Sequence, residues 1–277
     1  MVATLIEDDF ATYLASPNIS RGRIVGELEN SSKKAEYDAQ NPTPGTDAMR
    51  LGSGAHCATL EPERFLRDYT WFPGKRSASQ DGPTGKWKAF LDAHDYEKEN
   101  ILSSSEYEYC IALKGALRRH RGYQALIEGC VTEQSCYWDD QKARLDLYRK
   151  GLVGDLKTAY DITDRGIRKA LGLSNIIQIP HYLSGAAAYE GKPIDWTTVE
   201  AGVDIPDFVF VFVSKSMPVE VRLVEVPFEH IKRAAMMRHR AIEQIRNNRD
   251  TNTFLSYPQT IESFSPFPSV FPYEETN

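Results

Sequence analysis

Asp146, Asp155 and Lys157 are the side chains best placed in this sequence to do chemistry, and all three fall within residues 142–158, KARLDLYRKGLVGDLKT. Apolar residues alternate with charged ones on either side of Lys150-Gly151, which predicts two short strands joined by a turn. Period-two geometry then puts Asp155 and Lys157 on one face of the second strand and turns Leu156 into a core. Two carboxylates beside an ammonium can hold a hard divalent cation, Mg²⁺ or Mn²⁺, next to a lysine able to orient or activate water. Taken alone, the Asp-x-Lys triplet also fits a solvated hairpin carrying a surface salt bridge.

The elements that must position these residues can be read on both sides. Ser20 is an N-cap candidate for a helix through Ile24, Val25 and Leu28, preceded by a leader with Phe10 and Tyr13. Residues 30–46, with Pro42 and Pro44, read as a loop. Residues 48–60 have helical spacing and small residues before His56 that allow close packing, and residues 61–65 read as the closure of that helix. Residues 76–86 read as a basic loop, followed by helices over 87–99 and 106–120 and a strand over 131–138. The second helix ends in Arg118, Arg119, His120 and Arg121, which suits either phosphate contact or a solvated helix C-terminus. After Lys157 the pattern is helical from 163 to 189, with breaks expected at Gly172 and Pro180. The run from Phe208 to Val213 is a buried strand, 219–226 a strand with one wet side, and 228–249 a long helix. Its arginines fit a solvated face, although Arg238 and Arg240 could line a channel. Residues 251–277 read as an irregular tail. The order predicts an α/β fold, with a mixed central sheet flanked by helices and a helical N-terminal part, as a single domain over 1–277.

Composition narrows the setting. The 277 residues are 41% hydrophobic and 26% charged, ordinary for a globular protein, and no run approaches a membrane span. The acidic N-terminus lacks the basic region of a signal peptide, so a cytoplasmic location is expected, with no membrane partner. Cys57, Cys110, Cys130 and Cys136 show no metal spacing and are expected to be reduced thiols. A net charge of -6 argues against non-specific coating of nucleic acid, though not against positive charge confined to one channel.

An acidic residue, a short hairpin and then acidic-x-Lys resembles the PD-(D/E)XK (restriction endonuclease-like) nuclease superfamily. Within it, three segments in order are similar to the exodeoxyribonuclease VIII (RecE) nuclease domain and its phage relatives: LGSGAHCATLEPERF from Leu51 to Phe65, EQSCYWDD from Glu133 to Asp140, and the pair Arg144-Leu145-Asp146 and Gly154-Asp155-Leu156-Lys157-Thr158. Asn18-Ile19-Ser20 resembles that family's N-terminal segment. The resemblance implies that His56, Asp146, Asp155 and the carbonyl of Leu156 are metal ligands. It makes Lys157 the catalytic lysine, with Asp146 and Asp155 as catalytic carboxylates and Glu133 assisting through a second metal or a bound water. His56 by itself would equally suit a packed helix position.

The resemblance further implies a Mg²⁺- or Mn²⁺-dependent exonuclease that degrades linear double-stranded DNA from the 5′ end and leaves 3′ overhangs for recombination. It would form a ring-shaped homo-oligomer and work with a RecT-type single-strand annealing protein in the bacterial host of a phage or prophage. The alternatives are a RecB-like nuclease of other polarity, an endonuclease, or a catalytically silent DNA-end-binding protein. Iron–sulfur CRISPR-associated relatives are disfavoured because no cysteine follows Cys136. Two departures are expected. The nine-residue step from Asp146 to Asp155 implies a tight hairpin. The family's Gln-x-x-x-Tyr helix pattern reads here as His181, Gly185 and Tyr189, which puts DNA-strand contacts from that helix in doubt.

Overall fold

The computed structural model describes residues 3–42, 46–79, 82–200 and 205–260. The chain begins with β1 (Thr4–Ile6), α1 (Phe10–Ala15), α2 (Arg21–Glu29), α3 (Ser32–Gln40), α4 (Asp47–Leu60) and α5 (Pro62–Asp68). The small strands β2 (Thr70–Phe72), β3 (Ala78–Ser79) and β4 (Gly82–Pro83) precede α6 (Gly85–Ala93), β5 (Ile101–Ser103), α7 (Ser104–Arg119) and α8 (Arg121–Ile127). Then come β6 (Val131–Trp138), β7 (Gln141–Arg149), β8 (Leu152–Ala159), α9 (Asp164–Ala170) and α10 (Leu173–Tyr189). The chain continues through β9 (Asp207–Ser214), β10 (Val221–Val224) and α11 (Phe228–Thr251).

The expected hairpin is the middle of a six-stranded sheet ordered β1-β6-β7-β8-β9-β10. Its pairs are antiparallel except β8 with β9, where Asp155 faces Phe210 and Lys157 faces Phe212 in parallel register. A parallel pair needs a crossover, and α9 and α10 supply it. The sheet is therefore mixed and covered on both faces, as the order of elements predicts. Leu156, Val211 and Val213 pack on one face with Ala55, Cys110 and Leu113 of α4 and α7. Phe208, Phe210 and Phe212 pack on the other with Ile179 and Leu183 of α10 and Ala235 of α11. Burial on both sides explains the uninterrupted apolar run of β9. The four cysteines are free, and three of them are buried.

Several elements depart from the sequence expectation. Residues 32–40 form a helix where a loop was expected. Ser31 caps it, Ala35 is buried, Glu36 reaches Arg23, and Lys34 pairs with Asp38 one turn on. Residues 61–65 open a new helix instead of closing the old one, because Pro62 occupies a first-turn position, where a missing N–H costs nothing. The helix predicted over 87–99 stops at Ala93, and residues 78–83 contain a short β pair. Pro180 sits inside an unbroken α10. An interior proline costs about 3 kcal/mol, and the burial of Ile177, Ile179, Leu183 and Ala186 around it outweighs that. β1 went unrecognised because three residues carry too little periodicity. In the tail, residues 252–260 have no helix or strand, and residues 261–277 lie outside the described residues. Among the described residues no helix is long and apolar enough to cross a membrane.

Candidate metal centre

The centre begins with strand register. Thr132 pairs with Leu147 and Gln134 with Leu145, so Glu133 on β6 stands opposite Asp146 on β7. On the other side Leu147 pairs with Gly154, and the next step, where the ladder stops, would set Asp146 opposite Asp155. Three carboxylates thus share one row across three adjacent strands, an arrangement that repels itself unless something positive sits among them. The row is also where the sheet is irregular. Glu133 has φ 51, a left-handed conformation uncommon for a glutamate. In β6, Thr132 reaches the α4 side through a 2.8 Å bond to Leu60 O, whereas Cys136 and Trp138 lie on the α10 side. In β7, Ala143 and Leu145 face α10 and Leu147 faces α4. Both strands therefore reverse their alternation at this row. The amide of Leu156 donates to Asp146 Oδ2 at 2.8 Å where β7 and β8 part.

α4 brings His56 over this break. Its approach depends on Gly54, where a Cβ would lie 3.2 Å from Leu102. His56 Nδ1 is 3.5 Å from Asp146 Oδ2 and 3.6 Å from Glu133 Oε1. One ligand atom from each of His56, Glu133 and Asp146 falls within 4.8 Å of the others. Burial alone would lower the His56 pKa, but Asp146 and Glu133 reverse that and raise it to about 9. Burial, with Asp155 alongside, pushes Asp146 up to about 7 against the pull of His56. Both shifts record a site with surplus negative charge.

Asp155 and Leu156 lie beside this trio. Asp155 is 2% exposed. Its Oδ1 accepts from Gln178 Nε2 of α10, while its Oδ2 has no hydrogen bond, although Lys157 Nζ is 2.5 Å away. A buried carboxylate oxygen in that state is a ligand atom in waiting. Lys157 lies over the Phe210 ring, 5.9 Å from its centre. One imidazole among several oxygens is a donor set for Mn²⁺ or Mg²⁺, with the nitrogen favouring Mn²⁺. The residues present fit a divalent cation.

A further layer holds Glu133 in place. Arg144 Nε donates to Glu133 Oε2 at 2.9 Å, and its Nη1 donates to Asp8 O at 3.0 Å and Asp8 Oδ1 at 3.2 Å. Ser135 and Tyr137 both donate to the Asp8 carboxylate. Asp8 gave no sequence signal, because it is brought in by β1, which pairs with β6 at Leu5 and Cys136.

Two readings need correction. The Gln-x-x-x-Tyr pattern is present as Gln178-Ile179-Pro180-His181-Tyr182, three residues earlier than expected. The residue read in its tyrosine position, Gly185, is required by packing, since a Cβ there would lie 2.6 Å from the Trp138 ring. Arg238 lines no channel. It is buried, with Nε donating to His181 Nδ1 at 3.1 Å and Nη2 donating to Gln141 Oε1.

Comparison with known proteins agrees with this architecture. The family described as "PDDEXK-like domain of unknown function (DUF3799)" matches residues 28–262. The crystal structure of a protein named "Putative exonuclease" from Eubacterium rectale superimposes with a TM-score of 0.59 at 13% identity, covering 90% of this chain and 88% of that one. At that identity the likeness is one of fold. No curated protein matches the sequence.

Proposed function

This chain belongs to the PDDEXK-like family just described, and on that premise we propose that it is a metal-dependent nuclease that hydrolyses phosphodiester bonds in DNA. The observation that carries this reading is the carboxylate row beside His56 with Lys157 paired to its Asp155. In this reading His56, Glu133, Asp146 and Asp155 hold the cation, with the Leu156 carbonyl next to them. When bound, the metal lowers the pKa of a coordinated water and offsets charge on the phosphate. Lys157 Nζ orients the attacking water and stabilises charge developing on the phosphoryl oxygens. Asp155 holds that ammonium at 2.5 Å, and Gln178 holds Asp155. Glu133 is a ligand in this scheme, a more direct part than assistance through a second metal or water.

The finer reading is a 5′ exonuclease acting on the ends of linear double-stranded DNA and leaving 3′ overhangs for recombination, with a RecT-type annealing partner in the cytoplasm of a phage's bacterial host. The motif resemblance supports it, as does the exonuclease name borne by the structural neighbour. A ring would turn basic residues inward and reconcile DNA binding with the net charge of -6. The test is digestion of linear duplexes labelled at the 5′ or the 3′ end, beside closed circles, with Mn²⁺, Mg²⁺ or EDTA. Early release of the 5′ label with circles intact is expected. Early release of the 3′ label would reverse the polarity, and cutting of circles would make the protein an endonuclease.

A further inference from the structure

An arginine outside the motifs is connected to the carboxylate row through one carboxamide. Arg21, the first residue of α2, donates from Nη1 to Gln178 Oε1 at 3.1 Å, and Gln178 donates in turn from Nε2 to Asp155 Oδ1. Gln178 is 1% exposed, so the two bonds fix which end of its amide faces which partner. Arg21 is different. It is half-buried, and among the described residues it has no carboxylate partner. The neighbouring arginines are committed: Arg23 pairs with Glu27 and Glu36, and Arg144 with Asp8 and Glu133. Near Arg21 lie the rings of Tyr13 and Tyr182, whose ionisation its charge influences, and Asp155 beyond Gln178.

A half-buried guanidinium with N–H groups beyond the one given to Gln178, one side chain from a candidate metal-binding carboxylate, suits an anion such as a phosphate diester. Cutting DNA at an acidic row also needs such a group, because the phosphates on either side of the bond being broken carry charge that the carboxylates repel. We propose that Arg21 binds a backbone phosphate of the strand being cut. Gln178 sets the position of the guanidinium relative to Asp155, so the phosphate is held at a fixed place beside the carboxylate. The inference rests on the nuclease reading and adds a substrate contact to it. Arg21 was legible in the sequence only as a helix-start residue after Ser20. Its partner lies 157 positions away.

The experiment compares wild type with Arg21→Ala and Arg21→Lys on a linear duplex. Binding is read in Ca²⁺, turnover in Mn²⁺, and Mn²⁺ affinity separately without DNA. Arg21→Ala should weaken DNA binding roughly tenfold to hundredfold and flatten the dependence of log K on log salt by about one unit. It should leave Mn²⁺ affinity within a few-fold of wild type and lower the melting temperature by a few degrees at most, since the buried Gln178 Oε1 loses its donor. Arg21→Lys should recover part of the loss. Single methylphosphonates placed in turn near the cleaved bond should reveal one position where neutralising the phosphate weakens wild type and leaves Arg21→Ala unaffected. The proposal is overturned if Arg21→Ala binds DNA like wild type with the same salt slope. It is also overturned if its loss of turnover follows a loss of Mn²⁺ affinity, which would make Arg21 a support for Asp155 alone. A wild type that binds but does not cut would remove the nuclease reading, and the same binding curves would still decide the Arg21 contact.

Discussion

Asp146 is held among Glu133, Asp155 and His56, where burial and two carboxylates oppose its charge and one imidazole offsets it. Its raised pKa means that the ionised form is disfavoured in the metal-free protein. Asp146→Asn keeps an oxygen for the Leu156 amide and removes the repulsion. Without metal the variant should therefore be more stable by about 1 kcal/mol, or about 2–4 °C in melting temperature. With Mn²⁺ present the order should reverse, because wild type alone gains binding energy. Thermal melts with EDTA and with Mn²⁺ check both halves, and a less stable variant in EDTA would contradict the charge argument. Arg144 offers a second test. It forks between Glu133 and Asp8, so Arg144→Lys and Asp8→Asn should each weaken Mn²⁺ affinity by about 10–100-fold without touching the metal, as read by titration calorimetry. Wild-type affinity in both would show that Glu133 needs no outer support. Tyr137, hydrogen-bonded to Asp8, belongs to this layer, whereas Trp138 packs on Gly185.

Among the elements, α10 joins the site to the rest of the fold. Its inner face supplies Gln178 to Asp155, and three residues later His181 meets α11. His181 is fully buried and neutral, with Nε2–H donating to Lys142 O at 2.9 Å and Nδ1 accepting from Arg238. Burial first, then the Arg238 charge, holds its pKa well below 6.5. A group depressed in this way takes up its proton only on unfolding. Its stabilising contribution is present above about pH 6.5 and falls by up to about 1.4 kcal/mol per pH unit below it. His56, raised in the fold, is protonated in both states below 6.5 and adds no slope there. Asp146, raised to about 7, works in the opposite sense, so the His181 part is read as the difference between wild type and His181→Gln in urea unfolding at pH 6.5 and 5.5, where wild type should fall relative to the variant. The same pH dependence in both proteins would place the effect elsewhere. Gly185→Ala should cost about 1–3 kcal/mol through overpacking against Trp138, measured by the same unfolding. The sequence revealed these elements unevenly. β6, β7, β8, β9, α4 and α11 were legible because each repeats its period over many residues. β1, α3 and the continuity of α10 through Pro180 were not, since long-range packing decides them. Of the site, Asp146, Asp155, Lys157 and His56 were readable from spacing and motif. The placement of Glu133 in the candidate site involves a left-handed φ, and that of Asp8 and Arg21 contacts distant in sequence.

At the scale of the molecule, helices cover both faces of the sheet, and the carboxylate row lies where the β7–β8 ladder stops, with His56 of α4 against Asp146 and Gln178 of α10 against Asp155. A sheet buried on both sides fixes the row rigidly, which a metal centre needs for constant ligand distances. The carboxylates of Glu133, Asp146 and Asp155 crowd together on three neighbouring strands beside His56, and a divalent cation among them would offset their mutual repulsion. The most direct test of this account is cleavage of a linear DNA duplex with Mn²⁺ or with EDTA by wild type, Asp155→Ala and Lys157→Ala, with Mn²⁺ binding measured on the same preparations. The account predicts cleavage that requires the metal. Asp155→Ala should lose both metal and activity, whereas Lys157→Ala should keep the metal and lose activity on the order of 10²–10³-fold. Cleavage that persists in EDTA, or full activity in Lys157→Ala, would contradict it.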